Sequence, residues 1–204
     1  FGYKLPINTP KLDAGGKDGT IRKVFTGVNP QGVRVTSFKA PTPDELAHDF
    51  LWRIHARTPA AGEIGVFNRS HYEDVLVVRV EDLVAEPVWR ARYAAIRHFE
   101  DQLAASGTTI VKVYLHISAE EQARRFRSRL TEPDKRWKFS SGDLEVRAKW
   151  DQYREAYLDA IEETSTKAAP WYVVPADQKK YRNWAVLQIL VATHQDTDPQ
   201  FPEP

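Results

Sequence analysis

The chain contains no cysteine and no methionine. Without cysteine there is no disulfide scaffold, no cysteine-ligated zinc and no thiol nucleophile. No apolar run approaches the roughly 18 residues of a membrane span, and no charged-then-apolar leader opens the chain. The first residue is Phe1, so the chain need not begin where translation began. Net charge is almost absent: 29 Lys and Arg stand against 28 Asp and Glu, a balance of +1. That balance argues against nucleic acid as the main partner. Together these absences lead us to expect a cytoplasmic protein with no membrane and no nucleic-acid partner.

What is present suits a folded domain. Hydrophobic residues make up 42% and charged residues 28% of 204 positions, enough to bury a sizeable core. Four apolar runs bounded by Gly, Pro or polar residues read as buried parallel strands: 33–38, 64–68, 110–117 and 171–175. Helical patterns alternate with them. Thr42-Pro43-Asp44-Glu45 is a capping box, followed by an apolar stripe of Leu46, Phe50 and Ile54. A second helix is expected over about 87–106 on Trp89, Tyr93, Ile96, Phe99 and Leu103, and a third over 118–130. A long one follows over about 143–164, on Val146, Trp150, Tyr153, Tyr157 and Ile161. A last helix is expected after Ala176 to about His194. Alternating strands and helices predict an α/β fold with a parallel sheet, in one domain over 1–204.

The most informative segment is Leu12-Asp13-Ala14-Gly15-Gly16-Lys17-Asp18-Gly19-Thr20-Ile21-Arg22. Three glycines in five residues let backbone N–H groups turn towards an anion. Lys17 then reaches the phosphates, and the following helix points its positive end at them. Two positions depart from the usual G-x-x-x-x-G-K-[ST] pattern. Lys11 stands where the first Gly belongs, and Asp18 where Ser or Thr would ligate Mg²⁺. A carboxylate inside the loop repels phosphate unless a cation lies between them, which assigns Mg²⁺ (with Mn²⁺ as a substitute) to Asp13. Phosphate contacts are expected from residues 14–20, namely Ala14, Gly15, Gly16, Lys17, Asp18, Gly19 and Thr20, and from Arg22.

A second concentration of charge lies at 124–138. Arg124, Arg125, Arg127, Arg129, Lys135, Arg136 and Lys138 are opposed only by Glu132 and Asp134. A row of cations suits a polyanion, and arginine grips phosphate oxygens bidentately. We expect a lid insertion at about 124–142 that delivers Arg125, Arg129, Lys135, Arg136 and Lys138 to a phosphate chain. Trp137 and Phe139 are expected to anchor it against the body.

In this chain LDAGGKDGTIRKV, GVNPQGVRVTSFKAPTPDE, FNRSHYEDVLVVRV, RWKFS with DLEVRAKWDQY, and APWYVVPAD follow one another in order. With these motifs the chain resembles the family-2 polyphosphate kinases over nearly its whole length from Leu12. The resemblance implies a three-layer α/β/α P-loop kinase fold of the thymidylate-kinase type with a helical lid. It implies transfer of the terminal phosphoryl group of inorganic polyphosphate to AMP and ADP, reversibly, with Mg²⁺, in a homo-oligomer (dimer or tetramer). Asp13, Lys17, Arg69 and Glu73 become the implied catalytic residues. Asn68, Arg69, His71 and Glu73 become the implied nucleotide-binding residues. Many members carry Asp at the Walker-B-like position where this chain has Asn68. Glu73 accompanies the subgroup (class III) that phosphorylates both mono- and diphosphates.

Two alternatives stay open at this point: an ATP-dependent nucleoside-monophosphate kinase on the same fold, and an inactive polyphosphate-binding relative. The residues before Leu12, FGYKLPINTPK, hold two prolines and no continuous apolar run. They do not read as the buried strand that a P-loop follows. We therefore expect the N-terminal segment and first strand to be missing before residue 12. That strand's place would be central, between the FNRS strand and the IVKVYLHI strand.

Overall fold

A computed structural model describes residues 2–8, 15–138 and 142–198. Among them a six-stranded, wholly parallel sheet carries helices on both faces. The strands are β1 (Gly2–Asn8), β2 (Val33–Ser37), β3 (Ile64–Asn68), β4 (Thr108–Ile110), β5 (Lys112–His116) and β6 (Trp171–Pro175). Their order across the sheet is β2-β3-β1-β5-β6, with β4 pairing beside β1.

The strand expected to be missing is therefore formed, by Gly2–Asn8, and it occupies the central place between β3 and β5. The expectation failed because Pro6 lacks the N–H that a central strand donates. The register shows how the sheet accommodates it. β1 pairs through Tyr3–Ile7 with β3 on one side. On the other side it pairs at residues 2–4 with β4 and at 7–8 with β5. The ladder is thus interrupted opposite Leu5 and Pro6, where β4 and β5 part company. Lys112, at the start of β5, donates its backbone N–H to Pro170 O at 3.2 Å, on the β6 side. Lys11, Asp13 and Ala14 lie outside the described residues.

Among the described residues nine α-helices accompany the strands, eight in the connections and one after β6. They are α1 (Lys17–Val24), α2 (Pro43–Leu46), α3 (Trp52–His55), α4 (Glu73–Val80), α5 (Glu86–Ala105), α6 (Ala119–Thr131), α7 (Gly142–Ala148), α8 (Trp150–Thr164) and α9 (Lys179–Thr197). The capping box at Thr42 forms, with Glu45 N donating to Thr42 Oγ1 at 3.2 Å and Thr42 N to Glu45 Oε2 at 2.8 Å. The single stripe expected from Leu46 to Ile54 does not. The Asp49 carboxylate accepts from Leu51 N at 2.9 Å and starts a new turn, leaving Leu46 exposed. The long helix expected at 143–164 is likewise broken, at Lys149.

Alternation along the strands sends side chains to two cores. Val66, Val113, Leu115 and Val174 meet Ile21 and Val24 of α1 and Val186 of α9. Tyr114 and Trp171 face Val75, Leu76, Trp89, Tyr93, Ile96 and Tyr157 of α4, α5 and α8. Each such aliphatic or aromatic side chain contributes about 1.5–3 kcal/mol by leaving water. Within the second core lies a polar cluster. The Lys112 ammonium donates to Glu100 Oε2 at 2.6 Å, to Tyr72 OH at 3.0 Å and to Thr164 O at 2.7 Å. His71 Nε2 lies 3.3 Å from Glu100 Oε1. This cluster ties α5, β5 and the end of α8 to the segment that follows β3.

Candidate active site

The phosphate loop meets three elements at the carboxyl ends of the strands, where open α/β sheets bind ligands. Gly16 caps α1 with φ at +91°, a left-handed conformation that glycine adopts without strain. Thr20 is buried and donates both N–H and Oγ1 to Gly16 O, at 2.9 and 3.1 Å. Beneath the loop, two arginines from distant segments converge on one carbonyl. Arg182 Nη1 of α9 reaches Gly15 O at 3.2 Å and Arg125 Nη1 of α6 reaches it at 3.4 Å. Arg125 Nη2 also donates to Ala176 O and Asp177 O, at 2.7 and 2.9 Å, and its Nε to Glu121 Oε1 at 2.7 Å. Arg182, only 3% exposed, packs so closely that a Cβ on Gly16 would stand 2.0 Å from its Nη1. Burial, with Arg125 nearby, brings the Arg182 guanidinium down to about 10.

Above this floor opens a cavity of about 610 Å³. Its described lining carries eight cationic residues, Lys17, Arg22, Lys23, Arg125, Arg129, Lys135, Lys179 and Arg182, against one acid, Asp18. Burial, then the proximity of Arg125, Lys135, Arg124 and Arg182, lowers the proton affinity of Lys179. An array of that sign is complementary to a polyanion.

Asp18 accepts a 2.7 Å hydrogen bond from Asn68 Nδ2 at the end of β3. The next residue, Arg69, holds φ at +65°, a conformation that costs a non-glycine residue about 1–3 kcal/mol and that clusters at functional sites. Glu73 opens α4. It and Arg69 act electrostatically on the phenol of Tyr157, in opposite senses. Burial, then Glu73, raises Tyr157 well above the usual range, and its hydroxyl is buried with no hydrogen-bond partner among the described residues.

Residues 8–202 match the family model described as Polyphosphate kinase 2 (PPK2). The chain belongs to the polyphosphate kinase 2 family. It is 58% identical over 202 residues to the AMP/ADP-polyphosphate phosphotransferase of Meiothermus ruber, covering 99% of this chain and 76% of the relative. It is 48% identical over 204 residues to the ADP-polyphosphate phosphotransferase of Rhodopseudomonas palustris, covering 94% and 71%. The crystal structure of Polyphosphate Kinase 2 from Arthrobacter aurescens TC1 superposes with a TM-score of 0.96 at 48% identity, over 100% of this chain and 71% of that one. The P-loop kinase fold expected from the motifs is the fold of this enzyme. Among its described residues no helix is long and apolar enough to cross a membrane.

The enzyme brings Gly15, Gly16, Lys17, Asp18, Gly19, Arg22, Arg125, Arg129 and Lys135 together around the cavity. Three expectations need correction. Arg136 turns back to donate to Leu130 O at 3.2 Å and is absent from the cavity lining described. His71 is buried against Glu100, so it supports the loop from inside rather than reaching a nucleotide. Trp137 is 79% exposed and lines the cavity instead of anchoring the basic segment to the body. Phe139 and the Lys138 side chain, like Asp13 and Ala14, fall outside the described positions. Sequence reasoning missed Lys23, Ser128, Lys179, Arg182 and Asn183. Arg182 lies 166 positions from Gly16 by numbering, in the last helix. No local signal marks it.

Proposed function

We propose that this chain transfers the terminal phosphoryl group of inorganic polyphosphate to AMP and ADP, reversibly and with Mg²⁺ or Mn²⁺. The observation that carries this reading is the cavity beside the phosphate loop, with eight cations to one acid. The names of the relatives, AMP/ADP-polyphosphate and ADP-polyphosphate phosphotransferase, support the donor and the acceptors.

Phosphoryl transfer demands alignment and charge neutralisation more than covalent chemistry. In this reading Lys17, Arg22, Arg129 and Lys135 grip the donor chain, with Lys138 further along the lid. Arg69 faces the acceptor phosphate from the end of β3. Lys17 and Arg69 neutralise charge on the transferring group. Glu73 and Arg69 select the acceptor, and Glu73 favours AMP alongside ADP. The acceptor phosphate is already ionised, so a strong general base is unnecessary. A bound divalent cation would supply electrostatic shielding between phosphate oxygens, with Asp13 as its ligand in the loop. A cytoplasmic homo-oligomer, dimer or tetramer, completes the reading.

The test is incubation with Mg²⁺, polyphosphate and AMP in the absence of ATP, with products separated by chromatography. ADP followed by ATP is expected. ATP from ADP but nothing from AMP would retain the donor and remove the role given to Glu73. Phosphorylation of AMP by ATP alone, with polyphosphate inert, would overturn the proposal.

A further inference from the structure

The usual P-loop arrangement holds its divalent cation with a hydroxyl directly after the loop lysine and a carboxylate at the end of a neighbouring strand. Here the residue after Lys17 is Asp18, and β3 ends at Asn68. Each position departs from the pattern, and the two departures touch: Asn68 Nδ2 donates to Asp18 Oδ1 at 2.7 Å. The acid and the neutral polar group have changed places across one hydrogen bond.

Several features indicate what Asp18 faces. It is exposed and lines the cationic cavity. Lys17 precedes it and Arg22 follows one helical turn later, yet no ion pair joins it to any described residue. Its partner is a neutral amide, which orients the carboxylate without cancelling its charge. Bare carboxylate among phosphate oxygens would oppose binding, so its natural complement there is a cation that arrives with the substrate. Asn68 adds a second observation. With Nδ2 committed to Asp18, its Oδ1 is fixed in orientation, buried and without a hydrogen-bond partner among the described residues. Towards the cavity the pair presents the carboxylate oxygens of Asp18, the hard donor type that Mg²⁺ and Mn²⁺ take.

We infer that Asp18 carries the cation-facing carboxylate that a strand-end acid supplies in the usual arrangement, with Asn68 as the positioning residue that orients it. The inference rests on reading the site as one for phosphoryl transfer. It leaves the end of β3 neutral beside Arg69, so an acceptor phosphate approaches without an opposing carboxylate from that strand.

The test is titration of the full chain into preformed Mn²⁺–triphosphate, followed by broadening of its paramagnetic resonance signal and set against binding of metal-free triphosphate. The parent is compared with Asp18→Asn, Asn68→Asp and the exchanged double variant. Asp18→Asn is expected to weaken Mn²⁺–triphosphate at least tenfold relative to metal-free triphosphate, and the exchange to restore most of that loss. Asn68→Asp alone is expected to tighten binding, because ligand charge rises. Binding by Asp18→Asn within twofold of the parent overturns the inference, as does an exchange no better than Asp18→Asn. If Asp18→Asn melts without metal, Asn68→Asp decides: no tightening overturns it. Polyphosphate-dependent ADP formation is measured on the same preparations. A parent that makes ADP while Asp18→Asn keeps its Mn²⁺–triphosphate refutes this inference alone. A parent that binds Mn²⁺–triphosphate through Asp18 and makes no ADP refutes the proposed donor alone.

Discussion

Gly16→Ala is the sharpest perturbation of the loop. The added Cβ meets Arg182 Nη1 at 2.0 Å and Cζ at 3.0 Å. Arg182 cannot swing aside freely, because it is buried and bonded to Gly15 O and to Asn183 Oδ1, the latter at 2.9 and 3.1 Å. Two costs add. A non-glycine residue in the left-handed region costs about 1–2 kcal/mol. Loss of the bond from a charged donor to Gly15 O costs about 1.5–3 kcal/mol. The expected loss is about 2.5–5 kcal/mol, or a fall in Tm of about 5–20 °C for a chain of this size. Gly19→Ala is the control. Its Cβ finds Arg182 Nη2 only at 3.8 Å, its φ is not left-handed, and it lies inside α1. It should leave stability unchanged or raise it by about 0.4–1 kcal/mol. Urea unfolding of the substrate-free protein followed by circular dichroism measures both. Gly16→Ala within 1 kcal/mol of the parent, or a Gly19→Ala equally damaging, would refute the reasoning.

Three further outcomes are expected. Lys179→Gln removes one cation that Arg125, Lys135, Arg124 and Arg182 repel; it should weaken polyphosphate binding about tenfold while leaving Tm unchanged or higher, as calorimetry and binding titration would show. Lys112→Met strands the buried Glu100 carboxylate without its 2.6 Å partner; unfolding should become easier by about 3–5 kcal/mol, and adding Glu100→Gln should recover much of that loss. The Glu121 carboxyl is held at about 2 by Arg124, then Arg125. Because its folded value lies below its ordinary 4.5, this stability is present above about pH 4.5 and disappears as pH falls towards 2. Arg124 is 63% exposed, so Glu121→Gln should cost only about 1 kcal/mol or less at neutral pH, and the gap from the parent should close on acidification.

Legibility followed the range of the interactions. The strands 64–68 and 171–175 and the helix on Trp89, Tyr93, Ile96 and Phe99 rest on periodicity within a few residues, and the structure repeats them. α4 was hidden because FNRSHYEDVLVVRV reads as strand or loop by its valines, while the helix follows from docking Val75 and Leu76 in the second core. β1 was hidden by Pro6, whose missing donor matters only if both neighbouring ladders are continuous. The site divided in the same way. Lys17 and the loop glycines announce themselves by spacing. The Asp18–Asn68 bond spans 50 positions and the Arg182–Gly15 bond 167, and neither residue's type or neighbours point to the other.

Six of the eight cations around the cavity fall into two groups, which helps explain how a chain of net charge +1 builds so basic a site. Arg125 and Arg182 turn their guanidinium groups on the carbonyls of Gly15, Ala176 and Asp177, and so build the loop. Lys17, Arg22, Lys23 and Lys179 carry no ion pair with any described residue and face the opening. Because like charges have been gathered and partly desolvated, the substrate-free fold carries a repulsion that any well-placed polyanion relieves. Binding and stability are then linked. Added salt alone should raise Tm by screening that repulsion, and the further rise caused by polyphosphate should shrink as salt increases. A fold whose surface charges merely cancelled, as the overall composition suggests, would show neither dependence.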